Sequence, residues 1–155
     1  RMIEIIAYHD ALYEPFRKLN LEWLNKYNLL EEADMVVLDD PQGMILDTGG
    51  AIYLAKAGDE IVGTAALVHE GNNIYELAKM SVTEQWQGKG ISRLLIEACL
   101  QKAAELEAVK IELFSNHQLK SALKLYEKYG FSYVEVKDSP FETADIKMEL
   151  LLKHA

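Results

Sequence analysis

The sequence predicts a mixed α+β fold, and three observations carry that expectation. Ala51–Ala57 and Ile61–His69 are two β-rich runs separated by Gly58-Asp59-Glu60, a hairpin signal. Gly71-Asn72-Asn73 makes a second turn into Ile74–Val82, so three strands should form an antiparallel meander. A glycine turn then leads into a helical pattern, and Val109–Phe114 follows as another strand. Hairpins together with a strand–helix–strand crossover define the class.

The remaining elements follow from spacing. Met2–Ala7, with Ile3, Ile5 and Ile6, reads as a first strand. Leu12, Phe16, Leu19, Trp23 and Tyr27 recur at helical spacing, with Asp10 as the expected cap and the helix starting near Pro15. A short helix is expected from Glu31 to about Asp39, ended by Pro41. Pro41 to Gly50 carries three glycines and reads as loop. The helix after the glycine turn should run from about Gly88 to Glu107, burying Ile91, Leu94, Leu95, Ala98, Cys99 and Leu106. Leu119, Ala122, Leu123, Tyr126 and Tyr129 mark another helix, with Gly130 as its C-cap. Phe131–Val136 and Ile146–Leu152 close the fold as strands.

Length and composition bound the function. The 155 residues suit one domain, 1–155, and half of them are apolar. Such a chain buries roughly two-thirds of its unfolded surface. A formal net charge of −9 argues against nucleic acid and anionic membranes as general partners. It mildly favours a cationic small molecule or a basic peptide, although solubility alone accounts for it. Cys99 is the only cysteine, so no internal disulfide forms and a reducing compartment is compatible. No basic-then-apolar leader and no spanning segment is read, and a cytoplasmic protein is expected. Arg1 ahead of Met2 reads as an expression remnant. His9, His69, His117 and His154 have no metal-ligand spacing, alone or with Cys99, so no metal is expected.

The stretch Gln85-Trp86-Gln87-Gly88-Lys89-Gly90-Ile91-Ser92 organises the chain. A turn with two glycines feeding a helix N-terminus offers backbone N–H groups and a favourable dipole to an anion. The turn lacks the Gly-x-x-x-x-Gly-Lys-Ser/Thr spacing of a nucleotide P-loop. About thirty residues on comes Ala122-Leu123-Lys124-Leu125-Tyr126-Glu127-Lys128-Tyr129-Gly130-Phe131. Gln85-x-x-Gly88-x-Gly90, this tyrosine segment and Glu76-Leu77-Ala78-Lys79-Met80-Ser81-Val82 together resemble the GNAT superfamily of N-acetyltransferases. The resemblance covers nearly the whole chain. It implies a mixed, mostly antiparallel sheet of about seven strands flanked by about four helices. One departure is visible: many relatives carry Asn three positions before the alanine of the tyrosine segment, where this chain has Leu119. Asn116 is nearby in another register.

The resemblance implies acetyl transfer from acetyl-coenzyme A, as cosubstrate, to an amine. The acceptor would be a small molecule, a peptide N-terminus or a lysine. It places the cofactor's pyrophosphate on the backbone N–H groups of Gln87, Gly88, Lys89, Gly90, Ile91 and Ser92, and its pantetheine arm along Met80, Ser81 and Val82. Helix-end electrostatics supply only about 0.3–2 kcal/mol, so the arm must contribute too. Deprotonating a lysine-like amine at pH 7 costs roughly 4.6 kcal/mol, whereas holding the reactants together offers about 7–11 kcal/mol. Direct attack in a ternary complex is therefore energetically sufficient. By resemblance Glu76 is the candidate base and Tyr126 the candidate acid for the departing thiolate. Glu76 could equally be a strand carboxylate, and Tyr126 also falls on the spacing of a core residue. Trp23, Tyr27 and the Pro41–Gly50 loop lie where the family builds its acceptor pocket. A non-catalytic acyl-coenzyme A-binding or sensing module is the alternative. A homodimer through the closing strands is compatible with this reading, but no residue pattern points to it.

Overall fold

The computed structural model describes residues 2–152; Arg1 and His154 therefore lie outside the described residues. Seven strands form one sheet in the order β1-β2-β3-β4-β5-β7-β6. They are β1 (Ile3–Ala7), β2 (Ala51–Ala57), β3 (Glu60–Gly71), β4 (Ile74–Val82), β5 (Lys110–Ser115), β6 (Ser132–Val134) and β7 (Ile146–Leu151). The helices are α1 (Tyr13–Lys26), α2 (Glu32–Asp39), α3 (Ile91–Glu105) and α4 (Lys120–Lys128). The β2–β3–β4 meander forms as expected, and β4–α3–β5 supplies the parallel crossover.

Each face of the sheet carries its own core. Leu95, Ile96 and Cys99 of α3, with Leu123 and Tyr126 of α4, pack on Ala65, Leu67, Tyr75 and Leu77. On the opposite face Phe16 and Leu24 of α1 and Leu38 of α2 cover Ile52, Leu54 and Ala66. The helical stripe of α3 is rotated from the expected one. Leu94 is exposed, and Ile96 takes the buried place.

Four local expectations are corrected. Asp10 does not cap α1; it starts a separate 3-10 turn, and α1 begins after Leu12 with no side-chain cap. The Pro41–Gly50 segment is not all loop. Gln42–Leu46 forms one π-helical turn, closed by Asp47 N–H to the Gln42 carbonyl at 2.8 Å, because Ile45 is fully buried against the α1–α2 core. Apolar Val109 lies outside β5 and is half-exposed. The strand after Gly130 shrinks to three exposed residues, Ser132–Val134, at the sheet's edge.

Two backbone features position the site. First, β4 pairs with β5 only through Ile74, Tyr75 and Glu76. From Leu77 onward the two strands part, leaving that edge of β4 without a ladder partner. Second, β4 carries a β-bulge: Lys79 and Met80 together oppose Ala65 of β3, and Lys79 has φ +52°. The bulge flips the phase of the strand. Tyr75 and Leu77 face the α3 core before it, and Met80 and Val82 face that core after it.

Leu95 has no exposed surface in the α3 core. Leu95→Ala is expected to cost about 2–5 kcal/mol, read as a fall in the urea midpoint at unchanged slope.

Candidate active site

The parted strands open a cleft of about 490 Å³. Met80, Ser81 and Val82 form one wall, and the glycine turn and first turn of α3 form the other. Gly88 and Gly90 have φ +75° and +80°, conformations that glycine adopts without a Cβ penalty. A Cβ built on either would meet only open space. Gly90 is the residue before α3, so the N–H groups of Ile91, Ser92 and Arg93 have no partner within the helix. Among the described residues, no N–H from Gly88 to Arg93 is bonded to a protein acceptor. The Gln87 side chain donates back to the Val82 carbonyl at 2.9 Å and closes the turn onto β4.

Of the positions named for the cofactor, Met80, Ser81, Val82, Gln87, Gly88, Gly90, Ile91 and Ser92 line this cleft. The exposed Lys89 does not; Arg93, the residue after Ser92 in α3, does. Tyr126 lines the cleft from α4. The helix ends in a Schellman motif: Phe131 N–H bonds the Tyr126 carbonyl at 3.1 Å, and Gly130 N–H bonds that of Glu127 at 3.0 Å. The Phe131 ring packs on the Tyr126 ring at 5.9 Å. Among the described residues the Tyr126 hydroxyl has no hydrogen-bond partner, and burial pushes the phenol above its ordinary value.

On the other side of β4, under α1 and α2, lies a cavity of about 70 Å³. Glu76, the last residue paired with β5, reaches into it. Burial pushes its carboxyl up to about 8, the Glu70 carboxylate and a hydrogen bond to it add to the rise, and Lys79 pulls the other way. Lys79 and Asp34 form an ion pair of 2.6 Å at side-chain exposures of 5% and 4%. The other Asp34 oxygen accepts the Glu31 N–H at 2.9 Å, so the pair ties the start of α2 to the bulge.

A hydrogen-bond chain fixes the bulge from α1. Trp23 Nε1 donates to Asn20 Oδ1 at 3.0 Å, Asn20 Nδ2 donates to Thr64 Oγ1 at 3.4 Å, and Thr64 Oγ1 donates to the Lys79 carbonyl at 2.6 Å. Asn20 is fully buried although it interrupts an apolar stripe. Trp23 lines the small cavity, whereas Tyr27 lines the cleft and the 41–50 segment lines neither. Leu119 borders both spaces. Asn116 lines the small cavity rather than the cleft, and its amide is engaged within the chain. Its Nδ2 donates to the Thr143 carbonyl at 2.8 Å, and its Oδ1 accepts the Gln118 N–H at 3.0 Å.

Two other residues read from the sequence are placed away from the chemistry. Cys99 is buried in the α3 core, and burial raises its thiol to about 12, far from a thiolate nucleophile. His69 stacks on Tyr75 at 4.9 Å, and its Nδ1 meets the Thr48 carbonyl at 3.0 Å. Among the described residues no three His, Cys, Asp or Glu side chains are grouped as a metal ion would need. No helix among them is long and apolar enough to cross a membrane.

A family model described as an acetyltransferase (GNAT) domain matches residues 48–133. An uncharacterised N-acetyltransferase of Bacillus subtilis, YvbK, is 33% identical over 118 residues, which is 74% of this chain and 76% of that protein. The chain spans 50% of the length of the rat N-acetyltransferases that it also matches. A GNAT-family acetyltransferase of Staphylococcus aureus superposes with a TM-score of 0.91 at 25% identity, covering 98% of this chain and 100% of that one. The fold is also that of the PaiA N-acetyltransferase of Thermoplasma acidophilum in complex with coenzyme A, at a TM-score of 0.76 and 16% identity over 98% and 100% of the two chains.

Removing one partner of the Lys79–Asp34 pair leaves a buried charge without compensation. Asp34→Ala should cost about 3–5 kcal/mol, whereas Asp34→Leu combined with Lys79→Met should be near neutral or stabilising, both measured by urea denaturation.

Proposed function

The chain belongs to the GNAT acetyltransferase family, and from that premise we propose that it moves acetyl from acetyl-coenzyme A to a primary amine within one ternary complex. One observation carries this reading: a polar backbone cleft and a carboxyl-bearing cavity lie on opposite sides of the same strand, β4, at neighbouring residues. The residues fit the donor. The free N–H groups of residues 88–93 suit a pyrophosphate, and the unladdered edge at Met80, Ser81 and Val82 suits an amide-bearing arm added like a strand. Bound there, acetyl-coenzyme A supplies a thioester carbonyl as the electrophile.

The chain's own residues handle the protons. The amine nitrogen forms a C–N bond to the acetyl carbon while the C–S bond breaks and its electron pair leaves with sulfur. Glu76, as carboxylate, takes the proton that nitrogen loses, directly or through water. Tyr126 donates its hydroxyl proton to the thiolate. Burial raises both. It makes the carboxyl a stronger base; it keeps the phenol protonated until the thiolate develops, at the cost of making it a weaker acid.

Saturating acetyl-coenzyme A should raise the melting temperature; a ligand at 100 times its Kd adds about 2.7 kcal/mol. An unmoved melting curve would sink the proposal. Tyr126→Phe should lower turnover about 100-fold or more, read as thiol release, while this thermal shift persists. Glu76 must lose its proton to act, so kcat/KM should rise with pH through about 8. In Glu76→Gln that limb should vanish, leaving only the limb set by the acceptor amine itself.

A further inference from the structure

The small cavity beside Glu76 restricts what the acceptor can be. Its walls are largely apolar, formed by Trp23, Leu24, Leu29, Phe114, Leu119 and Phe141. At about 70 Å³ it is well below the 150 Å³ of a cavity that holds benzene, so it admits an amine head and a short stem. Three charged residues line it: Asp34, Glu76 and Lys79. Among the described residues Lys79 is the only cation there. Its ammonium is held by Asp34 at 2.6 Å and lies 5.1 Å from the centre of the Phe141 ring. Asp34 has its second oxygen on the Glu31 N–H. The Asn116 amide is engaged at both ends, and the Thr143 hydroxyl donates to Glu31. Among the described residues Glu76 shares a hydrogen bond with Glu70 and has no close ion pair, so of the three it is the ionisable group without a counter-ion to face a substrate.

We infer that the acceptor is a primary amine whose nitrogen sits on a short, uncharged apolar stem, an alkylamine or arylalkylamine without a carboxylate or phosphate near the nitrogen, the rest of the molecule lying outside the small cavity. The inference rests on the transferase reading above and names the substrate class of the same site. A carboxylate beside the nitrogen would enter a largely apolar space whose one cation among the described residues is already neutralised. Its hydration would be lost without a replacement partner. An amine of this class meets no such penalty. Apolar walls favour its neutral form, which is the form that attacks. A second distant cation on the acceptor finds no uncommitted carboxylate within the cavity.

The test compares matched acceptors with and without an α-carboxylate: phenethylamine against phenylalanine, and pentylamine against norleucine. Thiol release is followed at saturating acetyl-coenzyme A. We expect kcat/KM about 100-fold higher for the decarboxylated member of each pair. Asp34→Asn keeps the shape of the site and frees the Lys79 ammonium, so it should narrow that ratio at least tenfold. Its folding is checked by the melting shift with acetyl-coenzyme A. The wild-type ratio decides the matter if that variant does not fold. Equal or better turnover of the amino acids overturns the inference and leaves the transferase intact. No turnover with any amine, amino acid or peptide, despite a melting shift, overturns the transferase reading itself.

Discussion

The structure depends on a sheet that stops pairing halfway along one strand. β4 and β5 share a parallel ladder for three residues and then separate. A strand edge inside a sheet is normally satisfied by its neighbour, and an unpaired one is a template for another extended chain. Here the edge is not at the rim, so it cannot be shielded by solvent-facing charges. It opens instead onto a cleft closed by the start of α3 and by α4. Glu76 stands at the fork, the last residue on the paired side.

The bulge at Lys79 turns this fork into two compartments. A non-glycine residue at φ +52° costs of order 1–3 kcal/mol and persists only where its surroundings over-determine it. The surroundings do so. Thr64 holds the carbonyl, Asn20 holds Thr64, and Asp34 holds the side chain. The bulge sends Lys79 toward α2 while Met80 and Val82 return to the α3 side. Glu76 and Tyr126, the proposed proton acceptor and donor, thus come to lie on either side of a single strand. The ion pair contributes little net stability by itself, since desolvation offsets its attraction, but breaking it strands a charge. Its effect is to fix the register of α2 on β4 and to neutralise the one cation facing the small cavity.

Much of this was legible in residue spacing. Turn residues set the meander, and the bounds of β4 agree with the expected Ile74–Val82. Two glycines before a helical stripe marked the turn where free N–H groups gather. The bulge also left a trace that strict alternation hides. The apolar positions 75 and 77 are followed by 80 and 82, a gap of three where a strand demands two. Other features left no such trace. Buried Asn20 looks like a surface residue because its partner Thr64 lies forty-four positions away. The π-turn at 42–46 was hidden by three glycines that also suit a loop, and only the docking of Ile45 orders it.

The sequence by itself determined the order of elements, most of the apolar helix faces and the glycine turn, because hydrophobic period and turn chemistry are local properties of neighbouring residues. It also named Glu76 and Tyr126 as candidates to move protons. Tertiary structure alone decided that β5 leaves β4 after Glu76, that Lys79 is spent on Asp34, and that Trp23 rather than Tyr27 reaches the small cavity. Each of these depends on which groups meet across distant parts of the chain. Burial and charge pairing exist only once those parts are packed together.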